Sequence, residues 1–519
     1  MKLPLDRRFL VRRRALAATL ALLGSLLFFS PALADAVAGN KKLPNVVLIM
    51  TDNQGQWTLG CYGNEDIKTP NIDRLSAEGM QFNRAYSNNA VCSPTRASWL
   101  TGLMPSQHGV HRFLTLDVMM GPKAYSTLDE FESLPEVLND AGYNCGLVGK
   151  WHLGGHMTPQ EGFSYWVTKS RGHTASFYND EIIEDGKVRR HPEHITPFWT
   201  KHAKRFLDES QAGEKKDKPF FLFLSYNGPY SLGSAIKPEP KNKFAQLYEN
   251  NPMKSFPREG MHPWMYSPHQ RQHVENVTSM RNMASQISMV DEGVGEVMAK
   301  LKELGLDDDT IVVFTADQGT AGGHGGFWGM GDHTRPLTAR DQCMQIPLLI
   351  RHSGKIPAGK KIEDHVANYD FYPTLLNYLG LEERIPEKPA LPGRNFAPML
   401  RGEEIPDWDN TVFYDFETIR VIRTENWKYV ERMRPKPNTL YHLKSELYDL
   451  KNDPGEMNNL FDKTMNYNTT IALRRRLFEF FDKHSDPKWD LWHGGGMKGG
   501  LMLGKDAYRD PPSRLSLEE

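Results

Sequence analysis

The sequence predicts an α/β fold: a large, mostly parallel sheet sandwiched by helices, followed by a smaller α+β unit. Three observations carry this. Two apolar runs, NVVLIMTDNQG (45–55) and TIVVFTADQG (310–319), both end in an aspartate, an amide and a glycine. Between them, apolar segments of strand length alternate with helix-period segments, the pattern of a sheet covered on both faces. After RGEEIPDWDN (401–410) this alternation gives way to short strands and turns.

The elements follow in chain order. Residues 1–34 stand apart: Lys2, Arg7, Arg8 and Arg12–Arg14 precede the apolar ALAATLALLGSLLFFS, and PALA closes the segment before Asp35. A basic front, an apolar centre and an A-x-A-like end predict a secretory signal. Its 16-residue apolar stretch falls short of the ~20 that span a bilayer, so no stable membrane span is expected. Export to the periplasm or medium is expected, by Sec or, given the paired arginines, by the twin-arginine route. The chain carries 63 Lys and Arg against 64 Asp and Glu; the leader holds six of those bases and one acid, leaving 57 against 63, a net charge of −6. That argues against bulk capture of nucleic acid, so any attraction for an anion must be local to a pocket.

The run 45–52 reads as a buried parallel strand delivering side chains at its C-terminal end. TPNIDRLSAEG (69–79) reads as a helix, MQFNRAYS as a strand, and SLPEVLNDAG with YNCGLVGKWHLGG (133–155) as helix, stop, strand and loop. KPFFLFLSYNGPY (218–230) is another buried strand with a polar tip, and ISMVDEGVGEVMAKLKELG (287–305) is an amphipathic helix feeding the 310–319 strand. Function in such sheets collects at the carboxyl edge of the strands. The expected division is a large domain over 43–405, an antiparallel sheet with a closing helix over 410–484, and a loop-like tail over 485–519.

Four cysteines in so long a chain, Cys61, Cys92, Cys145 and Cys343, do not make a disulfide scaffold, although one pair stays open. Cys92 lies in NNAVCSPTRASWLTG (88–102). Pro94 and Thr95 suit the first turn of a helix, and a thiol beside a helix N-terminus has its pKa lowered. A buried hydrophobe, a disulfide half, a thiolate nucleophile and the precursor of a modified residue all fit that position.

C-S-P-T-R followed by A-S-W-L-T-G resembles the signature of the formylglycine-dependent type I sulfatases of the alkaline phosphatase-like superfamily. VLIMTDNQG, TPNIDRLSAEGMQF, VGKWHLG, DDTIVVFTADQG, YDFYPTLLNYLG and ELYDLKNDPGEMNNL resemble that family's segments in order, over roughly 45–480. The resemblance implies hydrolysis of a sulfate ester, and it implies that Cys92 is oxidised to 3-oxoalanine (formylglycine) by a formylglycine-generating or anaerobic sulfatase-maturating enzyme. One hydroxyl of the aldehyde hydrate attacks sulfur and expels the alcohol; the other loses its proton, the C–O bond breaks, and sulfate leaves as the aldehyde reforms. Asp52, Asn53, Asp317 and Gln318 match the family's metal positions, with residue 92 beside them. Their hard oxygen donors suit calcium, with magnesium open. Lys150 and His152 match the lysine that meets sulfate oxygens and the histidine that takes a hydroxyl proton, and Arg96 belongs to the signature.

Two positions depart from the family pattern. Tyr230 stands where a sulfate-contacting histidine is usual, and Met330 where a lysine is usual. Tyr230, Asn227, His324, His333 and Arg335 are the candidates to bind substrate in their stead. Aromatic and basic residues of 151–178, among them Arg171 and His173, and of MHPWMYSPHQRQH (261–273) suit the rim of a site for a sulfated sugar. A phosphomonoester or phosphonate hydrolase on the same scaffold, or a catalytically impaired glycan-binding relative, are the competing readings.

Overall fold

The computed structural model describes residues 42–265, 268–433 and 444–499. The expected leader (1–34) and residues 500–519 of the expected tail lie outside the described residues. β1 (Asn45–Asp52), β8 (Phe220–Pro229) and β9 (Thr310–Ala316) are buried at every position, as strands covered on both faces require. The main sheet runs in the order β12 (Lys360–Ile362), β2 (Met80–Phe82), β11 (Leu348–His352), β9, β1, β8, β4 (Asn144–Gly149), β5 (Tyr165–Lys169), β6 (Asp180–Glu184), β7 (Lys187–His191). From β9 to β5 the strands are parallel. Antiparallel pairs, β11 on β9 and β2, and β6 on β5 and β7, close the two sides. The polar tips of β9, β1, β8 and β4 therefore stand side by side at one edge of the sheet.

Two boundaries differ from expectation. The segment MQFNRAYS divides after Phe82, and its second half, β3 (Ala85–Tyr86), joins a small sheet with β10 (Gln345–Ile346) and β13 (Val366–Ala367). The long helix starts at Val277, not 287, because the Asn276 side chain caps it by accepting the Ser279 N–H. Met280, Met283 and Ala284 then extend its buried face.

β14 (Val412–Phe416), β15 (Ile419–Arg423), β16 (Trp427–Arg432) and β17 (Glu446–Asp449) form the antiparallel sheet, closed by the helix Tyr467–His484. This sheet is not insulated from the larger one: the described residues from Leu43 on form one compact unit, and Tyr414, Phe416 and Val421 share an apolar cluster with Val47, Ile49 and Tyr86. Fully buried Lys428 reaches out of β16 to Glu456 at 2.6 Å and to Asp341, which also takes Arg423 at 3.1 Å. Arg432 donates to the Leu337 carbonyl at 3.1 Å. These bonds fix residues 337–341, the stem of the loop that carries Met330 and His333 to the site. Residues 485–499 are tied down more firmly than a loop-like tail would be: Asp490 holds Arg420 at 2.6 Å, and the Lys498 N–H donates to the Gly109 carbonyl. Among the described residues no helix is long and apolar enough to cross a membrane.

Candidate active site

Four neighbouring strand tips and one helix start converge. β1 ends in Asp52 and Asn53, β9 leads into Asp317 and Gln318, β4 into Lys150 and His152, and β8 into Tyr230. Asn53, His152 and Tyr230 all have left-handed backbone, with φ of 57°, 62° and 62°. Non-glycine residues tolerate this at a cost of order 1–3 kcal/mol, and such strain collects at functional sites. Cross-strand bonds hold it: Asp317 Oδ1 accepts the N–H groups of Asn53 and Gln318, each at 2.9 Å, and the Tyr230 N–H donates to the Asp52 carbonyl.

Cys92 opens the helix Cys92–Thr101. That helix begins before the Pro94–Thr95 pair, since a proline in the first turn forfeits only an N–H that has no partner there. Its Sγ lies 3.4 Å from Asp52 Oδ1, 3.8 Å from Asn53 Oδ1 and 3.2 Å from the Gln318 amide nitrogen. The helix N-terminus does not win the thiol's charge balance. Burial pushes the Cys92 thiol well above its ordinary value and Asp52 adds to this, against Lys150 and Arg96. All four cysteines are free thiols.

The charges around Cys92 are fully buried and paired. Lys150 Nζ stands 2.5 Å from Asp52 Oδ2. Arg96 forks onto Asp317 Oδ2 at 3.0 and 2.8 Å and donates to the Lys150 carbonyl and to Ser225 Oγ. Burial, with Asp317 alongside, raises the Asp52 carboxyl to about 7 despite Lys150 and Arg96. Ligand atoms of Asp52, Cys92 and Asp317 lie within 4.8 Å of one another, with the Asn53 and Gln318 amides beside them. Their chemistry fits a hard cation. Gln318 turns its amide nitrogen onto Asn53 Oδ1 and Cys92 Sγ; exchanging its nitrogen and oxygen keeps the same shape and completes a set of four oxygen donors.

A cavity of about 620 Å³ opens beside Cys92 and Asn53. Phe113, Leu114 and Leu116 give it apolar lining; Arg171, Lys237 and His269 give it basic lining. The rim residues Arg171 and His173, expected from the sequence, are both there, as are Tyr230, Met330 and His333. His152 also lines it, with Nε2 near the Leu114 carbonyl (3.4 Å) and a buried Nδ1 that has no hydrogen-bond partner.

Three expected substrate-binding residues are not brought to the cavity. Asn227 spends its amide on Trp199 Nε1 (2.9 Å) and Thr174 Oγ1 inside the fold. His324 bonds the Ala321 carbonyl and packs edge-on against Trp57. Arg335 donates to the carbonyls of Asp332 and Thr334 and so braces its own loop.

Other contributors had little or no signal in the sequence. Ser225, the hydroxyl that interrupts the apolar run of β8, anchors Arg96. Gly172 abuts His152, and a Cβ there would meet the imidazole at 1.9 Å. Gly172→Ala is expected to displace His152 and lower kcat about 10²-fold, with an overpacking cost of roughly 1–3 kcal/mol; steady-state kinetics and thermal melting check both.

Reactive groups carried on the carboxyl ends of adjacent parallel strands, around paired acids and a buried cationic pair, define an enzyme of the alkaline phosphatase-like superfamily. Within it, the chain belongs to the sulfatase family, whose activity is hydrolysis of sulfate esters. The Sulfatase family model matches residues 44–381, and the model of the C-terminal region of N-sulphoglucosamine sulphohydrolase matches residues 334–483. An N-acetylglucosamine-6-O-sulfatase of Bacteroides thetaiotaomicron is 27% identical, over 81% of this chain and 83% of its own. An endo-4-O-sulfatase of the same organism is also 27% identical, over 82% and 89%. A solved structure in complex with its substrate D-glucosamine-2-N,6-O-disulfate superposes with a TM-score of 0.66 at 24% identity, covering 86% of this chain and 99% of that one.

Proposed function

We propose that this chain is an exported sulfatase acting on a sulfated carbohydrate, with a formylglycine derived from Cys92 as its nucleophile and a calcium ion beside it. The observation that carries this is the setting of Cys92. A soft sulfur whose thiolate is disfavoured sits among hard oxygen donors, where a hydrated aldehyde, itself an oxygen donor, is chemically at home. Asp52, Asn53, Asp317 and Gln318 would hold the ion, with magnesium the second choice. When bound, a divalent cation lowers the pKa of a hydroxyl and offsets the charge of an anionic ester.

The remaining steps belong to the chain's own side chains. Lys150 meets sulfate oxygens as charge moves onto them. Arg96 keeps Asp317 aimed through its two bonds to Oδ2. The unpartnered Nδ1 of His152 takes the proton of the second hydroxyl, which breaks the C–O bond and frees sulfate. Apolar and basic cavity lining suits a sugar ring and its anionic substituents. Names of sulfated sugars among the relatives support that substrate class, and residues 1–34 support export.

Protein made together with a maturation enzyme is expected to give an aldehyde mass at position 92 in the peptide ending at Arg96. A chelator is expected to abolish sulfate release, and calcium to restore it better than magnesium. A thiol mass in fully active protein overturns the nucleophile. A faster rate on aryl phosphate than on aryl sulfate favours the phosphoester reading, and glycan binding without sulfate release by aldehyde-bearing protein favours the non-catalytic one.

A further inference from the structure

No step of the hydrolysis uses Arg171, Lys237, His269 or Gln270, yet all four line the cavity that Cys92 lines. They come from three separate segments. Arg171 follows β5, Lys237 lies on the segment after β8, and His269 and Gln270 sit on the short helix Pro268–Arg271. None stands on the strand tips around Cys92. Gln270 is 2% exposed and packs against Gly329. Neither end of its amide bonds another described residue, and its Oε1 is fully buried. Buried polar groups are bonded in the great majority of native cases. An amide held on a cavity wall without partners is therefore arranged for something that enters the cavity.

The charges beside it say what enters. Lys237 is exposed, and its ammonium has no partner among the described residues. Arg171 is 62% exposed and stands 3.8 Å from Glu181, a carboxylate that Arg190 already meets at 3.1 Å. Leaving so loose and exposed a pair costs little. His269 is exposed beside Gln270. The acid that lines the same cavity, Asp332, is faced by His333 Nε2 at 3.6 Å. Burial, then the charges of Lys150 and Lys169, lower the His173 imidazole of the same wall to about 4, which fits positive surroundings. These cations gather locally on a chain whose net charge beyond the leader is −6. At about 620 Å³ the cavity falls in the range that encloses a drug-sized ligand, more than one sugar ring.

We propose that Arg171, Lys237, His269 and Gln270 form a second anion subsite in this cavity. The substrate then carries, besides the ester that is cleaved, a further sulfate or carboxylate on the same or the neighbouring sugar. The cleaved ester rests on the sulfatase reading of this site; the subsite itself does not. Arg171 and Lys237 supply charge that an anion can meet without breaking a buried pair. Gln270 supplies a donor of fixed position, since its side chain is held by packing, and so sets where the second group must lie.

Calorimetric titration tests this on Cys92→Ala protein, which turns nothing over during the measurement. The probes are persulfated maltotriose, whose anions are all sulfates, and trigalacturonate, whose anions are all carboxylates. The one bound more tightly names the second group. Added in the Cys92→Ala background, Gln270→Leu is expected to weaken that binding about 10-fold, and Arg171→Ala, Lys237→Ala and His269→Ala about 3-fold each. Gln270→Leu removes no charge, so its loss cannot come from long-range attraction. Because the amide bonds nothing in the protein, the melting temperature should not fall. In matured protein carrying Cys92, the four substitutions are expected to leave kcat and KM unchanged on 4-nitrophenyl sulfate, which has a single anionic group. Failure of both probes to bind, or unchanged affinity in Gln270→Leu, overturns the subsite. So does an equal loss in Arg475→Ala, a control arginine on the closing helix as exposed as Arg171 at 62%. A rise in KM for 4-nitrophenyl sulfate as large as the loss of probe affinity would place these residues at the cleaved ester, and overturns it too. A matured parent that releases sulfate from no ester counts against the sulfatase reading, while the titrations still decide the subsite.

Discussion

Cys92→Ala in the matured protein turns over sulfate ester roughly 10⁴–10⁶-fold more slowly than the parent, the scale of losing a covalent nucleophile. Its melting temperature stays close to the parent's. The stability argument is local: Cys92 has one thiol among polar neighbours, and the helix it opens is held by Thr95, whose hydroxyl donates to the carbonyls of Val91 and Cys92. Trimming one sulfur there costs about 1 kcal/mol. Cys92→Ser is the sharper form of the experiment. A serine hydroxyl at this position can attack sulfur and expel the alcohol, but it lacks the second hydroxyl whose deprotonation releases sulfate. A single turnover that leaves one SO₃ group on the peptide is therefore expected, read by intact mass. Repeated turnover by Cys92→Ser at the parent's rate would show that no second hydroxyl is needed, and would end the aldehyde-hydrate mechanism.

Most of the site's inner ring was legible in the sequence because strand ends announce themselves. Asp52 and Asp317 close apolar runs that have no other use for a carboxylate, and Lys150 follows the glycine that ends β4. Side chains that work through long-range contacts gave no such signal. Asn227 and Tyr230 stand three residues apart at the tip of β8. One turns back to Trp199 and the other to the cavity, and only the backbone reversal at Tyr230 separates their fates. His324 and Arg335 belong to the same loop as His333, but the ring of Trp57 and the carbonyls of Asp332 and Thr334 hold them elsewhere. Gly172 was illegible for a different reason: its importance is the absence of a side chain where His152 packs. The cysteine's pKa went the same way. A helix N-terminus is readable from Pro94 and Thr95, whereas the burial and the Asp52 carboxylate that outweigh it come from the whole fold.

Arg96→Met carries the second large effect, on stability and activity together. The guanidinium has no solvent contact and meets Asp317 through two bonds, the Lys150 carbonyl and Ser225 through others. Its removal leaves Asp317 and Asp52 facing each other with Lys150 as the cation that still touches them among the described residues, and breaking a buried pair in this way costs about 3–5 kcal/mol. Arg96→Lys does not restore the parent, because an ammonium cannot make the two-pronged contact. Turnover is expected to fall at least about 10³-fold, since the same carboxylates would hold the proposed cation. The proposed calcium site gives this variant a signature that simple loss of packing does not. With one positive charge gone, the four oxygen donors are more negative, so a bound divalent ion contributes more to holding the fold together. Chelation should therefore lower the melting temperature of Arg96→Met by more than it lowers the parent's, and calcium should recover more of it. Equal shifts in the two proteins would mean that no cation shares these carboxylates with Arg96.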